Sequence, residues 1–338
     1  MARPMNYTLS LVIPAYNEAD NLPVLLRRLA DIVEGLPACE IIVVDDGSSD
    51  ASVAVLRQSL VHYPQLRFVA LSRNYGHQAA LRAGLEQASG DCVICLDADL
   101  QHPPELVTQM ILQWQAGADI VGCIRQEQKS LPLFKRVTSR WFYRGLSWLS
   151  GLPLVAGSSD FRLLDRKVVA ILNAMPESDL FYRGIIPTLG FRAATIGYAP
   201  HARHHGRSKY DMRRMVRLAL TGVISTSTRP LRLATYFALC TALGALSFLA
   251  YVLYIVLVAR SSVPGWASTL AAVLTLGTMQ LLVLGLVGEY LGQVLKETRR
   301  RPPYLIGEAG GDVAPVSVPG TIAAPIHDTD EGHARHAA

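Results

Sequence analysis

Two long stretches without a charged residue constrain this chain more than any other feature of its sequence. Residues 233–258 and residues 266–288 contain no Asp, Glu, Lys or Arg. About 20 apolar residues suffice for a helix to cross the hydrocarbon core of a bilayer. The short connection between the stretches contains Pro264 and Gly265, which favour a turn. The sequence therefore predicts an antiparallel pair of membrane spans.

Basic residues around the two spans predict their orientation. Arg229 and Arg232 precede the first span, and only Arg260 lies between the spans. Four basic residues follow the second span: Lys296, Arg299, Arg300 and Arg301. Because short loops rich in Lys and Arg stay in the cytoplasm, we expect a multi-pass protein of the cell inner membrane. Both termini and the N-terminal domain would then lie in the cytoplasm.

Residues 1–210 have the alternating pattern of an α/β domain. Short apolar runs predict five strands, at residues 9–13, 40–44, 67–71, 91–96 and 119–124. Helical periodicity lies between them, at residues 21–33, 51–62, 78–87 and 104–115. This alternation predicts a mostly parallel, Rossmann-like sheet with helices on both faces. Ligands of such sheets bind beyond the carboxyl ends of the strands.

Three further segments complete the predicted organisation. Residues 131–151 interleave basic and aromatic side chains, which is typical of an amphipathic helix in a membrane interface, although a helix packed on the N-terminal domain fits as well. Residues 211–232 predict a juxtamembrane amphipathic helix, and residues 233–306 the transmembrane hairpin. Residues 307–338 are rich in Gly, Pro, Ala and acidic residues and are expected to be disordered. Residues 307–338 carry a net charge of −4, so residues 1–306 carry +9, which gives the total of +5. A basic body beside apolar spans favours an anionic partner at a membrane and not nucleic acid.

Carboxylates after the fourth predicted strand indicate a metal site. Asp97 and Asp99 are two residues apart, so on an extended chain they share a face. Gln101 adds a neutral oxygen on the same side. Such oxygen ligands favour Mg²⁺ or Mn²⁺, and a metal that bridges a diphosphate stabilises its charge as a nucleoside diphosphate leaves. By contrast, Cys92 and Cys95 would point to opposite faces of a strand, which predicts buried thiols and no metal or redox site.

Polar residues after the first two strands predict a nucleotide site. Asp45 and Asp46 would accept hydrogen bonds from a base N–H and from ribose hydroxyls. Tyr16 would stack on the base, and Glu18 would bind ribose or base. A capped loop between strand and helix also explains this segment in part, since Gly47 permits a sharp turn and Asp50 favours a helix start.

Several motifs resemble a known enzyme family. VIPAYNE at 12–18, VDDGSSD at 44–50, LSRNYGHQAAL at 71–81 and LDADLQHPPE at 96–105 resemble the nucleotide-sugar signatures of family 2 inverting glycosyltransferases with a GT-A fold. DFRLLD at 160–165, HHGRSKY at 204–210 and GEYLG at 288–292 are similar to segments of polyprenyl-phosphate glycosyltransferases. That group includes bactoprenol glucosyltransferases, an aminoarabinose transferase and dolichol-phosphate mannose synthases.

The resemblance implies a hexosyltransferase that moves a sugar from a UDP- or GDP-linked donor to a polyprenyl phosphate, with inversion, for modification of cell-envelope glycans such as lipopolysaccharide. UDP-glucose is the first expectation for the donor, followed by GDP-mannose and a UDP-linked modified arabinose. Asp160 would lie near the reacting sugar, either as a base or to orient a hydroxyl. The resemblance further implies that the nucleoside is bound by Pro14, Tyr16, Glu18, Asp45 and Asp46. The metal and the diphosphate would be bound by Asp97, Asp99 and Gln101. The lipid phosphate would be bound by Arg125, Arg203, Ser208 and Lys209, and Arg125 would also lie near the donor diphosphate.

Two other functions were weighed against this one. A processive polysaccharide synthase would carry a Gln-x-x-Arg-Trp motif, but the nearest string here, residues 137–141, begins with Val. A non-catalytic membrane scaffold would have lost the carboxylates that are present. The glycines of the second span, Gly277, Gly285 and Gly288, would permit close helix contacts and leave a homo-oligomer open.

Overall fold

The computed structural model of the chain describes residues 3, 6–125, 144–145, 147–151, 157–178, 180–199, 227–254, 257 and 265–311. Most of the two predicted amphipathic segments lies outside the described residues, as do Arg203, Ser208 and Lys209. The tail beyond residue 311 lies outside them as well.

The described part of the chain forms one eight-stranded sheet in the order β7-β5-β6-β4-β1-β2-β3-β8. The strands are β1 (Thr8–Ala15), β2 (Ala38–Asp45), β3 (Leu66–Leu71), β4 (Cys92–Cys95), β5 (Ile120–Arg125), β6 (Ser158–Asp165), β7 (Ala193–Tyr198) and β8 (Ile306–Gly310). Only β6 and β8 pair antiparallel to their neighbours. The predicted mostly parallel sheet and its first five strands are therefore confirmed.

Helices cover both faces of this sheet. They are α1 (Leu22–Val33), α2 (Ser52–Ser59), α3 (His77–Gln87), α4 (Leu106–Gln115), α5 (Arg166–Ala174) and the short α6 (Tyr182–Ile185). One buried cluster joins α1, α2 and α4 to the face of β1 that carries Leu11 and Ile13. The other joins α3 and α5 to the opposite face, which carries Val12. Burial on both faces explains why β1 is apolar at every position from Leu11 to Ile13.

The two cysteines of β4 belong to opposite faces of the sheet, as predicted. Cys92 lies in the cluster with α1, whereas Cys95 lies in the cluster with α3. Burial raises the pKa of each thiol to about 12. Both side chains therefore act as small apolar groups of the core.

Two long helices follow the catalytic domain: α7 (Arg229–Tyr254) and α8 (Trp266–Thr298). Both are long and apolar enough to cross a membrane. Large apolar side chains such as Leu246 and Leu281 are exposed on them, which supports association with a membrane. Compared with the predicted spans, α7 begins four residues earlier and α8 continues ten residues further, through Lys296 and Glu297.

The boundary of the predicted disordered tail was placed too early. Residues from Gly307 onward were expected to be disordered, but Ile306–Gly310 form β8, which pairs antiparallel with β3. Tyr304 is buried in the core just before it, and Arg57 binds the carboxylate of Glu308 at 2.6 and 2.5 Å. This strand owes its existence to pairing with a distant strand, which composition alone does not reveal.

Candidate active site

The ends of five strands bring most of the predicted site residues to one edge of the sheet. β1, β2, β4 and β5 run in the same direction and end at this edge. Tyr16 follows β1, Asp45 ends β2, and Asp97 comes two residues after β4. Because β6 is antiparallel, its beginning reaches the same edge and brings Asp160 there. Arg125 ends β5 on the far side of β6.

Asp97 has a buried oxygen that needs a partner. Its Oδ1 makes no hydrogen bond within the part of the chain that the structure describes. Leaving a buried carboxylate oxygen unpaired is costly unless a ligand supplies the missing interaction. His77 Nε2 lies 3.8 Å from this oxygen, beyond hydrogen-bonding distance. A cation at Asp97 would satisfy the oxygen.

Asp99 and Gln101 lie in a tight turn next to Asp97. The N–H of Gln101 donates to Asp99 Oδ1 at 3.1 Å, and Leu100 between them has φ 60°. No group of three or more His, Cys, Asp or Glu side chains that could hold a metal occurs among the described residues. Mg²⁺ is commonly held by one or two carboxylates together with substrate phosphates. The residues present therefore fit a divalent ion whose coordination a diphosphate completes.

A neutral histidine fixes the backbone at Asp97. His102 Nδ1 accepts a hydrogen bond from the N–H of Asp97 at 3.1 Å, and its ring stacks on Phe161 with centroids 4.9 Å apart. Burial lowers the pKa of His102, although the nearby carboxylates of Asp97 and Asp99 oppose this. A neutral ring with an accepting Nδ1 agrees with that direction.

Asp45 and Asp46 face different surroundings. Asp46 accepts hydrogen bonds from the backbone N–H groups of Tyr75 at 2.7 Å and Gly76 at 2.9 Å. Burial nevertheless raises its pKa, against the effect of these bonds. Asp45 Oδ2 accepts from Ser48 N–H at 2.9 Å, while its Oδ1 is buried and has no partner among the described residues. Asp45 therefore has an oxygen that can accept a hydrogen bond from a ligand, whereas Asp46 holds the loop that follows β3.

Glycine is required at position 47, in the loop that follows β2. Gly47 has φ +63°, and a Cβ there would lie 2.2 Å from the carbonyl carbon of Arg73. The predicted sharp turn at Gly47 is confirmed. The close approach keeps the loop after β2 against the loop after β3.

The residues after β1 differ in what they offer to a ligand. Tyr16 is 38% exposed, which suits stacking on a base. Glu18 accepts a hydrogen bond from Asn21 Nδ2 at 2.5 Å. Pro14 is buried inside β1 opposite Val44.

Asp160 is the most heavily bonded carboxylate at this edge. It is 2% exposed and accepts from His77 Nε2 at 3.1 Å, from Arg183 at 3.0 and 2.8 Å, and from Arg162 at 3.2 Å. Burial alone would raise the pKa of Asp160. The hydrogen bond from His77 and the charges of Arg183 and Arg162 outweigh burial and hold the pKa well below its usual range. A carboxylate in this state remains ionised and is a weak base.

Two of the partners of Asp160 reach the surface, and the sequence did not single them out. The side chains of Arg183 and His77 are 38% and 41% exposed, whereas Arg162 is buried. Neither His77 nor Arg183 is among the residues that the sequence predicted for the site. No local motif marks Arg183, since it meets Asp160 only because β6 lies between β4 and β5.

Arg125 is the described member of the predicted phosphate-binding set. Its side chain is exposed at the end of β5, its N–H donates to Gly157 O at 2.9 Å, and Tyr198 of β7 lies opposite. The other three members, Arg203, Ser208 and Lys209, fall outside the described residues.

Comparison with known proteins places this geometry in context. The family model for glycosyl transferase family 2 matches residues 10–170. The chain is 34% identical over 312 residues to the uncharacterized glycosyltransferase YkcC of Bacillus subtilis (strain 168), covering 92% of this chain and 96% of that protein. It is 37% identical over 299 residues to the bactoprenol glucosyl transferase of Shigella phage SfV, covering 88% and 97%. The solved structure of glucosyl-3-phosphoglycerate synthase from Mycobacterium tuberculosis shares 22% identity at a TM-score of 0.49, covering 65% of this chain and 80% of that chain.

Proposed function

This chain belongs to glycosyl transferase family 2, and we propose that it transfers glucose from UDP-glucose to a polyprenyl phosphate such as undecaprenyl phosphate. The transfer proceeds with inversion and gives a polyprenyl monophosphosugar for cell-envelope glycans. The enzyme is a hexosyltransferase whose catalytic domain comprises residues 1–210 together with β8.

One observation carries the choice of acceptor: the likeness to bactoprenol glucosyl transferases extends over nearly their whole length. It therefore takes in α7 and α8 in addition to the catalytic domain. Helices of this kind place the active site at the membrane surface, where the phosphate of a polyprenyl lipid lies. A soluble acceptor would not need them.

The donor is held at the carboxyl edge of the sheet. Asp45 Oδ1 accepts from the nucleobase or ribose, Tyr16 stacks on the base, and Glu18 and Pro14 shape the pocket around them. Asp97 and Asp99, with Gln101 beside them, would hold Mg²⁺ or Mn²⁺, which would supply positive charge for the leaving diphosphate. The unpaired Oδ1 atoms of Asp45 and Asp97 support this assignment.

The acceptor phosphate is already ionised at neutral pH, so it needs no general base. Its oxygen attacks the anomeric carbon on the face opposite the diphosphate, and the configuration at that carbon inverts. Asp160 then acts through the side chains that donate hydrogen bonds to it. It holds Arg183 and His77 at the reaction centre and orients the sugar. The low pKa of Asp160 supports this role over that of a base.

Basic residues bind the lipid phosphate. Arg125, at the end of β5, acts together with Arg203, Ser208 and Lys209. Charge-assisted hydrogen bonds from arginine and lysine suit a phosphate that has left the aqueous phase.

Membrane topology follows from the basic flanks of α7 and α8. The catalytic domain and both termini face the cytoplasm, where nucleotide sugars are made, and the two helices cross the cell inner membrane. The basic and apolar side chains in the sequences of residues 131–151 and 211–232 suit a membrane interface.

Product analysis tests this proposal. Purified full-length protein in detergent, with Mg²⁺ or Mn²⁺ and undecaprenyl phosphate, is offered UDP-glucose, GDP-mannose or UDP-linked aminoarabinose in turn. Mass spectrometry of the extracted lipid should show a hexosyl polyprenyl phosphate with UDP-glucose. Product with another donor alone would reassign the sugar, and lipid unchanged by every donor would reject the acceptor.

A further inference from the structure

The last turn of α8 is bonded to the catalytic domain. Glu297 lies nine residues beyond Gly288, where the uncharged stretch ends. Its carboxylate accepts from the backbone N–H of Ser178, at 3.1 Å to Oε2 and 3.3 Å to Oε1, and from the Ser178 hydroxyl at 2.8 Å. Ser178 closes residues 175–178, which we call the linking segment because it joins α5 to the chain that leads into α6.

A second set of contacts fastens the linking segment from α3. Arg82 donates to the carbonyl oxygens of Glu177 at 2.5 Å and Met175 at 3.4 Å. Glu86 binds Arg82 at 2.8 Å and also accepts from the hydroxyl of Tyr304. Since Tyr304 follows α8, the chain beyond the second span supports this region at two points.

The chain after the linking segment leads directly to the catalytic carboxylate. Helix α6 begins at Tyr182, and the next residue, Arg183, donates twice to Asp160. The N–H of Tyr182 donates to Gln78 Oε1 at 3.4 Å, and the neighbouring residue His77 is another partner of Asp160. A shift of the linking segment would therefore move Arg183 and disturb the support of His77.

We propose that Glu297 is a positioning residue that holds Arg183 in place against Asp160 through the linking segment. The end of α8 thereby sets the position of Arg183 at the catalytic centre. As far as it concerns catalysis, this inference rests on the proposed function. A misplacement of about 1 Å in an active site costs up to roughly 100-fold in rate, and a partial loosening should cost about tenfold.

Hydrogen–deuterium exchange of the full-length protein in nanodiscs tests the contact without any substrate. In Glu297→Ala, amides in the peptide covering residues 178–185 should exchange faster than in the wild type. Glu297→Gln keeps an oxygen that accepts from Ser178 and should restore protection. Thr298→Ala is the matched control, because the Thr298 hydroxyl bonds only within its own helix, to Val294 O at 2.7 Å. Unchanged exchange in Glu297→Ala would overturn the inference.

Steady-state kinetics then tests the consequence. We expect Glu297→Ala to lower kcat about tenfold, with the KM for UDP-glucose and the Tm unchanged. In an Arg183→Ala background the same substitution should cost nothing more, because residues that act through one contact are not additive. A tenfold loss in both backgrounds, or a parallel fall in Tm, would contradict the positioning role. A wild-type enzyme without transfer to polyprenyl phosphate would reject the proposed function, and the exchange experiment would still decide the contact.

Discussion

At the scale of single residues, Asp97 and Asp160 are two carboxylates of one sheet edge with different partners. Asp97 has an oxygen without a hydrogen bond in the described chain, whereas Asp160 is surrounded by cationic donors. The first suits a metal ion that arrives with the substrate. The second suits a fixed anion that organises the residues around it.

Removal of the predicted metal ligand tests the first of these roles. Asp97→Asn keeps the size of the side chain but loses a charged ligand, so we expect turnover to fall by at least about 100-fold and Mn²⁺ binding to weaken. EDTA should inactivate the wild type, and added Mg²⁺ or Mn²⁺ should restore it. Asp31→Asn, on the exposed side of α1, is the control. Full turnover of Asp97→Asn in EDTA would remove the metal from the mechanism.

A role for Arg183 in catalysis is predicted from the structure and not from the sequence. Arg183→Ala removes two hydrogen bonds from Asp160 and a positive charge from the reaction centre, and kcat should fall about 100-fold. Arg183→Lys keeps the charge without the paired geometry and should be intermediate. The exposed Arg27→Ala on α1 should behave like the wild type. Equal kcat for Arg183→Ala and the wild type would exclude a role for this cation.

The sequence predicted one part of this site and missed another for a physical reason. Asp97 and Asp99 were found because two carboxylates two residues apart after an apolar strand share a face. Arg183 and the role of His77 were missed because they depend on the antiparallel insertion of β6 between β4 and β5. The unpaired oxygens of Asp45 and Asp97 likewise depend on three-dimensional burial.

At the scale of secondary structure, local periodicity predicted β1–β5 and α1–α4 and did not reveal the later strands. β6 contains Asp160 and Arg162 among apolar residues, so its polar motif concealed a strand. β8 is short and contains Gly307 and Gly310, which disfavour a strand in isolation. Each forms because a neighbouring strand offers an edge.

Packing of β8 gives a stability prediction. A Cβ at Gly310 would lie 2.2 Å from the Cε1 atom of the buried Phe68 ring. Gly310→Ala should therefore destabilise the domain by about 2 kcal/mol, seen as a lower Tm. At Gly122 of β5 an added Cβ meets nothing within 4 Å, so Gly122→Ala should leave the Tm unchanged. Equal Tm values for both variants would show that β8 does not pack as described.

Asp119 gives a prediction about pH at the opposite end of β5. Its carboxylate binds Arg3 at 2.5 Å and Lys167 at 2.7 Å. Burial raises the pKa of Asp119, but Lys167, the amide of Arg192 and Arg3 lower it below its usual range. The stabilisation is therefore complete above the unfolded pKa of about 3.9 and is lost as the pH falls through the lower folded pKa.

Thermal unfolding of Asp119→Asn against the wild type measures this effect. At pH 7 we expect the variant to be less stable by about 2 kcal/mol, since it loses hydrogen bonds to charged groups. The difference should shrink as the pH is lowered below about 4. A difference that stays constant down to the most acidic pH would show that the ionised carboxylate is not its cause.

At the scale of the whole molecule, contacts join the two long helices to each other and to the sheet. Before α7, Ser227 O accepts from the hydroxyl of Tyr290 on α8 at 2.5 Å. After α8, Tyr304 and β8 return to the sheet. After the two long helices the chain therefore returns to the catalytic domain and adds a strand to the same sheet. Such a connection suits an enzyme whose acceptor lies in the bilayer.

The most direct test of the central claim uses sealed inside-out membrane vesicles from cells that express the full-length protein. UDP-glucose does not cross the membrane, so in these vesicles it reaches only the cytoplasmic face. With the wild type we predict hexosylated polyprenyl phosphate in the lipid extract, detected by mass spectrometry, and with Asp97→Asn we predict none. Right-side-out vesicles of the wild type should also give none. Lipid without added hexose in wild-type inside-out vesicles, or equal product from Asp97→Asn, would contradict a metal-dependent glucosyl transfer at the cytoplasmic membrane surface.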